Sequence, residues 1–149
     1  MNKNKKLINC LAALSEEITV RSIDESQQKN GRIRFDINVD HAIHTKSCSC
    51  GSKRVKKHGF KSAWALHIPQ GRRITTCIHY ERQRFKCKVC GATFLEDVSW
   101  VHNGSHLTVP LFECVDADVR TLMTKNDIAI RLSGDSYPTY LQLLWETYK

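Results

Sequence analysis

Two cysteine pairs constrain this chain more than any other feature: Cys48-Ser49-Cys50-Gly51 and Cys87-Lys88-Val89-Cys90-Gly91. Four thiolates surround one tetrahedral ion only when two short turns are brought together by the strands between them, which is how a zinc ribbon is built. A glycine follows each pair and lets the chain turn tightly beneath the metal. The second pair has ordinary Cys-x-x-Cys-Gly spacing, whereas the first is one residue shorter and demands a tighter turn. The spacing predicts one structural Zn²⁺ on Cys48, Cys50, Cys87 and Cys90, with His44, just upstream, as an alternative ligand in place of Cys48. Four thiolates fill the coordination shell and leave no position for water, which argues against a hydrolase. Cys10, Cys77 and Cys114 each stand alone in apolar patterns and read as reduced thiols.

At 149 residues and 41% apolar composition the chain is long enough for one ordinary domain or two small ones. The apolar stretch from Leu7 to Leu14 is short and runs into Glu16 and Glu17, unlike a signal peptide. Seven cysteines make an odd number, so a reducing cytoplasm is expected, where paired cysteines mean metal rather than disulfide. No apolar run approaches membrane-spanning length, and no membrane partner is expected.

The net charge of +8 is unevenly spread. Twelve basic residues against Glu81 alone lie between Lys46 and Cys90, while the remainder carries eleven basic and fourteen acidic residues. The basic excess therefore sits between the cysteine pairs, as an electrostatic footprint for nucleic-acid phosphates. The candidate contacts are Lys53, Arg54, Lys56, Lys57, His58, Lys61, Arg72, Arg73, Arg82, Arg84, Lys86 and Lys88.

Hydrophobic periodicity supplies the frame. Leu7, Leu11, Leu14 and Ile18 recur at helical spacing and predict a helix over 4–18. Ile33, Phe35, Ile37 and Val39 alternate with polar residues after Lys29-Asn30-Gly31 and predict a half-buried strand. Trp64, Leu66 and Ile68, the turn Pro69-Gln70-Gly71, and Ile74, Thr76, Ile78 and Tyr80 predict a β-hairpin. An unbroken second strand would put Arg82, Arg84 and Lys86 on the face of Ile78 and Tyr80, so a bulge or break near Glu81 is expected to turn them outward. Beyond Cys90 the period becomes helical at Leu111, Phe112, Val115, Val119 and Leu122, with Thr108 as cap and Pro110 in the first turn. Thr124-Lys125-Asn126-Asp127 resembles a capping box for a next helix bearing Ile128, Ala129 and Leu132, ended by Gly134. Ser136 and Pro138 are expected to open a third helix. The predicted class is α+β: a β-rich zinc ribbon (46–96) preceded by a helix and strand (1–45) and followed by a helix-turn-helix-like segment (106–149).

The order of these pieces resembles the N-terminal region of the ISL-three family of bacterial insertion-sequence transposases. The resemblance is carried by Cys50-Gly51-Ser52, Lys57-His58-Gly59-Phe60, Pro69-Gln70-Gly71, the run Arg82 to Gly91, Phe94-Leu95-Glu96 and Asp127-Ile128-Ala129, and covers about residues 24–136. It implies recognition of double-stranded DNA at the transposon ends by ribbon and helix-turn-helix, in a bacterial, nucleoid-associated setting. The family usually has Cys-Pro-x-Cys-Gly at the first knuckle; here Ser47 stands at the cysteine position and Cys48 at the proline position. The family's catalytic domain, of RNase H-like fold, needs three carboxylates and more chain than is present, so no transposase activity and no catalytic residue are expected. The alternative is a protein-interaction or regulatory module that associates with full-length transposase or with itself, suggested by Tyr137, Tyr140, Trp145 and Tyr148.

Overall fold

The computed structural model describes residues 3–28, 31–121, 124, 126–128 and 130. In chain order these form α1 (Lys3–Leu14), β1 (Ile18–Gln27), β2 (Ile33–His41), β3 (Val55–His67), β4 (Ile74–Cys87), β5 (Thr93–Leu95) and α2 (Val109–Arg120). The architecture is a mixed α/β one built on a five-stranded sheet of order β1-β2-β4-β3, with β5 pairing the far end of β4.

Two antiparallel hairpins, β1–β2 and β3–β4, are joined by a parallel pairing of β2 with β4 from Ile33↔Ile74 to Asn38↔His79. Successive side chains of a strand point to opposite faces. One face therefore gathers Phe35, Ile37, Val39, Ala65, Ile78 and Tyr80, covered by Leu7 and Leu11 of α1 and by Trp100. The other gathers Leu66 and Cys77, covered by Leu107, Leu111, Val115 and Ile128. Each fully buried aliphatic side chain stabilises this three-layer packing by about 1.5–3 kcal/mol.

Several sequence expectations are corrected. The first helix ends at Leu14 rather than residue 18, because Ile18 opens β1, a strand the periodicity did not reveal. Its pattern is mostly exposed, with Arg21, Ser22, Asp24, Glu25 and Ser26 diluting any alternation. The expected break near Glu81 is absent: β4 runs unbroken to Cys87, and the irregularity lies in its partner. Lys57 pairs with Phe85 and Phe60 with Gln83, so His58 and Gly59 together oppose Arg84. Gly59 has φ +82°, which the left-handed turn of the bulge requires. Arg82, Arg84 and Lys86 thus stay on the face of Ile78 and Tyr80. They are half-buried rather than buried because the cover of α1 and Trp100 ends at Tyr80.

The hairpin expected around Pro69-Gln70-Gly71 is present. Thr108 stands at the N-cap of α2, but its side chain makes no cap bond and instead meets His67 Nδ1 at 2.7 Å. The half of the capping box visible at Thr124 forms as expected, with the Asp127 N–H donating to Thr124 Oγ1 at 3.1 Å. Lys29, Asn30, Leu122, Lys125, Ala129 and everything from residue 131, including the expected third helix, lie outside the described residues. Among those described, no helix is long and apolar enough to cross a membrane.

Candidate metal centre and nucleic-acid interface

Cys87 ends β4 directly opposite Val55, the first residue of β3, so the sheet itself delivers both knuckles to one place. The first knuckle lies on the connection from β2 to β3 and closes with Gly51 N–H to Cys48 O (2.9 Å) and Cys48 N–H to Ser52 O (3.0 Å). The second closes with Gly91 N–H to Cys87 O (3.1 Å) and Cys87 N–H to Ala92 O (2.9 Å). A bond from Lys88 N–H to Arg54 O at 2.8 Å ties one turn to the other.

The sulfurs of Cys48, Cys50, Cys87 and Cys90 all lie within 4.8 Å of one another. Cys48 and Cys90 are 3.5 Å apart and Cys50 and Cys87 3.7 Å. These separations are far beyond a disulfide bond. They match the edge of about 3.8 Å of a sulfur tetrahedron with metal–sulfur bonds of about 2.3 Å. The shorter spacing of the first pair is accommodated, and Cys48 fills the position that Ser47 cannot.

Cys87 Sγ accepts the Val89 and Cys90 N–H groups at 3.4 and 3.5 Å, and a neighbouring backbone amide favours the thiolate at each of the other three sulfurs. The Cys50 amide is the largest influence on Cys48 and lowers its thiol. The Cys90 and Val89 amides bring Cys87 down to about 6. At Cys50 the Ser52 amide also favours the thiolate, but the Cys48 sulfur, burial and the other two sulfurs outweigh it and push the group up to about 11. At Cys90 the Ala92 amide is likewise outweighed by the Cys48 and Cys87 sulfurs. The amides favour thiolates, most strongly at Cys87, while mutual repulsion opposes four bare anions so close together. A cation at the centre removes that conflict. The four-cysteine cluster can therefore hold a metal ion.

His44 does not join it: His44 Nε2 meets Glu17 Oε1 at 2.6 Å instead. The remaining cysteines also lie elsewhere. Cys77 is buried, and desolvation pushes its thiol up to about 11. It lies beside Asp36 and His79, which meet at 2.7 Å, but Arg34 grips both Asp36 oxygens at 3.0 and 3.1 Å. A guanidinium already neutralises that carboxylate, so the group reads as an ion-pair network. Cys10 Sγ faces His67 Nε2 at 3.3 Å.

The sequence-predicted basic residues divide into groups. Residues directly opposite in an antiparallel pair share a sheet face. Lys56 opposes Lys86 and Lys61 opposes Arg82, with Arg84 between them on β4. These five cations form one column running from the cysteine cluster toward Tyr80. Arg82 donates to the Glu96 carbonyl at 2.6 Å, and among the described residues none of the five has a carboxylate partner. Lys53, Arg54, Lys88 and the bulged His58 are exposed around its metal end. Lys57, also exposed, pairs with Phe85 on the opposite face. Arg72 and Arg73 sit in the turn before β4, roughly 30 Å of strand away from Arg82, and are not brought together with the others.

Residues outside the expected metal and DNA contacts hold the base of the ribbon. Glu96 is 1% exposed; its carboxylate pairs with His41 Nε2 at 3.2 Å and accepts the Gln83 N–H at 3.3 Å. Gln83, also buried, donates from Nε2 to the Gly59 carbonyl at 2.8 Å and so pins the bulge. A lone acid after the apolar Phe94-Leu95 pair is a faint signal for such a role. No protein-family model, no curated protein and no solved structure matches this chain.

Proposed function

We propose that this protein binds double-stranded DNA through a zinc-clamped β-ribbon. One zinc ion on Cys48, Cys50, Cys87 and Cys90 would fix the knuckles and, through them, the register of β3 on β4. The observation that carries the reading is the column Lys56/Lys86, Arg84 and Lys61/Arg82. Like charges directly opposite on a sheet are destabilising, and here two such pairs occur on one face without acid partners. A polyanion lying along the ribbon offsets that cost, and phosphate contacts supply affinity independent of sequence.

The resemblance of the sequence to ISL-three transposases supports transposon ends as the DNA. In this reading α2 and the helix capped by Thr124 belong to a helix-turn-helix, and the chain acts by binding, without transposase catalysis. Filter binding to a linear inverted-repeat duplex between 50 and 200 mM salt tests it. Five neutralised phosphates give a log–log slope of about −4 to −5. Weak binding that ignores salt overturns the proposal.

A further inference from the structure

The cationic column continues into a cavity. Beyond Arg82 and Lys61 on the same sheet face lie Tyr80 and Ala63, and all four line a space of about 290 Å³ closed by the segment 101–106. Its rim is held rigidly: Trp64 stacks on His106 at 4.2 Å and 8°, and Tyr80 packs edge-on against Trp100 at 4.8 Å. A preformed aromatic rim lowers the ordering cost of binding.

Two polar side chains on this cavity are not fully used within the fold. Arg82 spends Nη2 on the Glu96 carbonyl at 2.6 Å, and its shielded Nε has no hydrogen-bond partner. The exposed amide of Asn103, which offers both a donor and an acceptor, has no partner among the described residues.

We propose that this cavity receives one unpaired nucleotide of the bound DNA, with its phosphate on Lys61 and Arg82 and its base edge read by Asn103. The inference rests on the DNA-binding reading above and extends it from the strand to a single base. The volume lies at the lower end of small-molecule pockets, about 300–1,000 Å³, and suits one heterocycle with its sugar rather than two. A base stacked and paired within a duplex cannot enter a concave site, so the occupant is a base already unpaired or turned out of the helix. Aromatic and amide groups beside cations are the chemistry that holds such bases, and the Asp97 carboxylate on the lining is already paired with Lys46 at 3.1 Å.

The test compares two fluorescent duplexes of one sequence, fully paired or carrying a single extra adenosine, by anisotropy titration of the zinc-loaded protein. The bulged duplex binds about tenfold tighter, within the range of one base stacked in a protein site. Asn103→Ala, on an exposed side chain, reduces that preference several-fold and leaves affinity for the paired duplex unchanged. Ala63→Leu, which fills the cavity, removes the preference, its own retained affinity for the paired duplex showing that it folds. Equal binding of both duplexes by the wild type overturns the cavity assignment and leaves the DNA-binding reading standing. A preference that survives both substitutions overturns the assignment as well. Failure of either duplex to bind overturns both readings.

Discussion

Replacing Cys87 by serine removes the ligand most deeply embedded in the ribbon. Cys87 is 1% exposed, ends β4 opposite Val55, and its sulfur takes amides from Val89 at 3.4 Å and Cys90 at 3.5 Å. Structural zinc supplies about 10–16 kcal/mol at neutral pH, so an equal share among four thiolates is about 2.5–4 kcal/mol. Cys87→Ser should therefore weaken zinc binding about 10²–10³-fold, and more than Cys50→Ser, because Cys50 is exposed. The damage should stay local. Both hydrophobic clusters lie at the other end of the sheet, among Phe35, Ile37, Leu66, Ile78 and their neighbours. Beyond Tyr80, Phe85 packs mainly on Phe94, with ring centroids 5.9 Å apart. Competition with a chromogenic chelator measures the affinity, and hydrogen exchange read by mass spectrometry locates the change. Protection should vanish over 53–60 and 84–95 and persist over 35–39 and 76–80. Unchanged zinc affinity, or zinc loss that leaves the ribbon amides protected, refutes the reasoning.

Three further outcomes follow from the packing. Glu96→Ala leaves the buried Gln83 N–H without its carboxylate acceptor and His41 Nε2 with the Glu81 carbonyl alone (2.9 Å), and should cost about 1–2 kcal/mol in urea unfolding, whereas Glu96→Gln, which keeps an acceptor, should cost less. Burial holds His67 at about 4, below its ordinary 6.5, so the folded state favours the neutral ring. Its contribution is complete above about pH 6.5 and is lost as pH falls toward 4, to a limit of about 3 kcal/mol; unfolding midpoints of His67→Gln should lack that part of the acid slope. Gly59→Ala meets no neighbouring atom but forces a side chain onto φ +82°, so it should lower stability by about 1 kcal/mol in thermal unfolding.

The local features were legible in the sequence because their signals are local. Paired cysteines, the turn at Pro69-Gln70-Gly71 and the alternation of Ile33 to Val39 each announce one element. What was not legible depends on residues distant in the chain. The parallel pairing of β2 with β4 joins segments about forty residues apart, and it makes the sheet continuous across the boundary expected at residue 46. The same pairing explains why Cys77 is buried though it alternates with core residues: both sheet faces are covered. Arg82, Arg84 and Lys86 are not turned off the face of Ile78 and Tyr80 as expected; they stay on it, half-buried. A bulge in β4 seemed necessary only while the cover over Tyr80 was assumed to extend further. His41 and Glu96 are separated by 55 positions in the chain, and the lone acid after Phe94-Leu95 says nothing of which residue it pairs with.

The metal clamp and the cationic face share one ribbon, and affinity for inverted-repeat duplex DNA before and after zinc removal tests that link most directly. Chelation should weaken binding by roughly tenfold or more as the register of Lys56 and Lys61 against Lys86 and Arg82 is released, and one equivalent of zinc should restore it. A zinc-free protein that binds the duplex with undiminished affinity and salt dependence would contradict it.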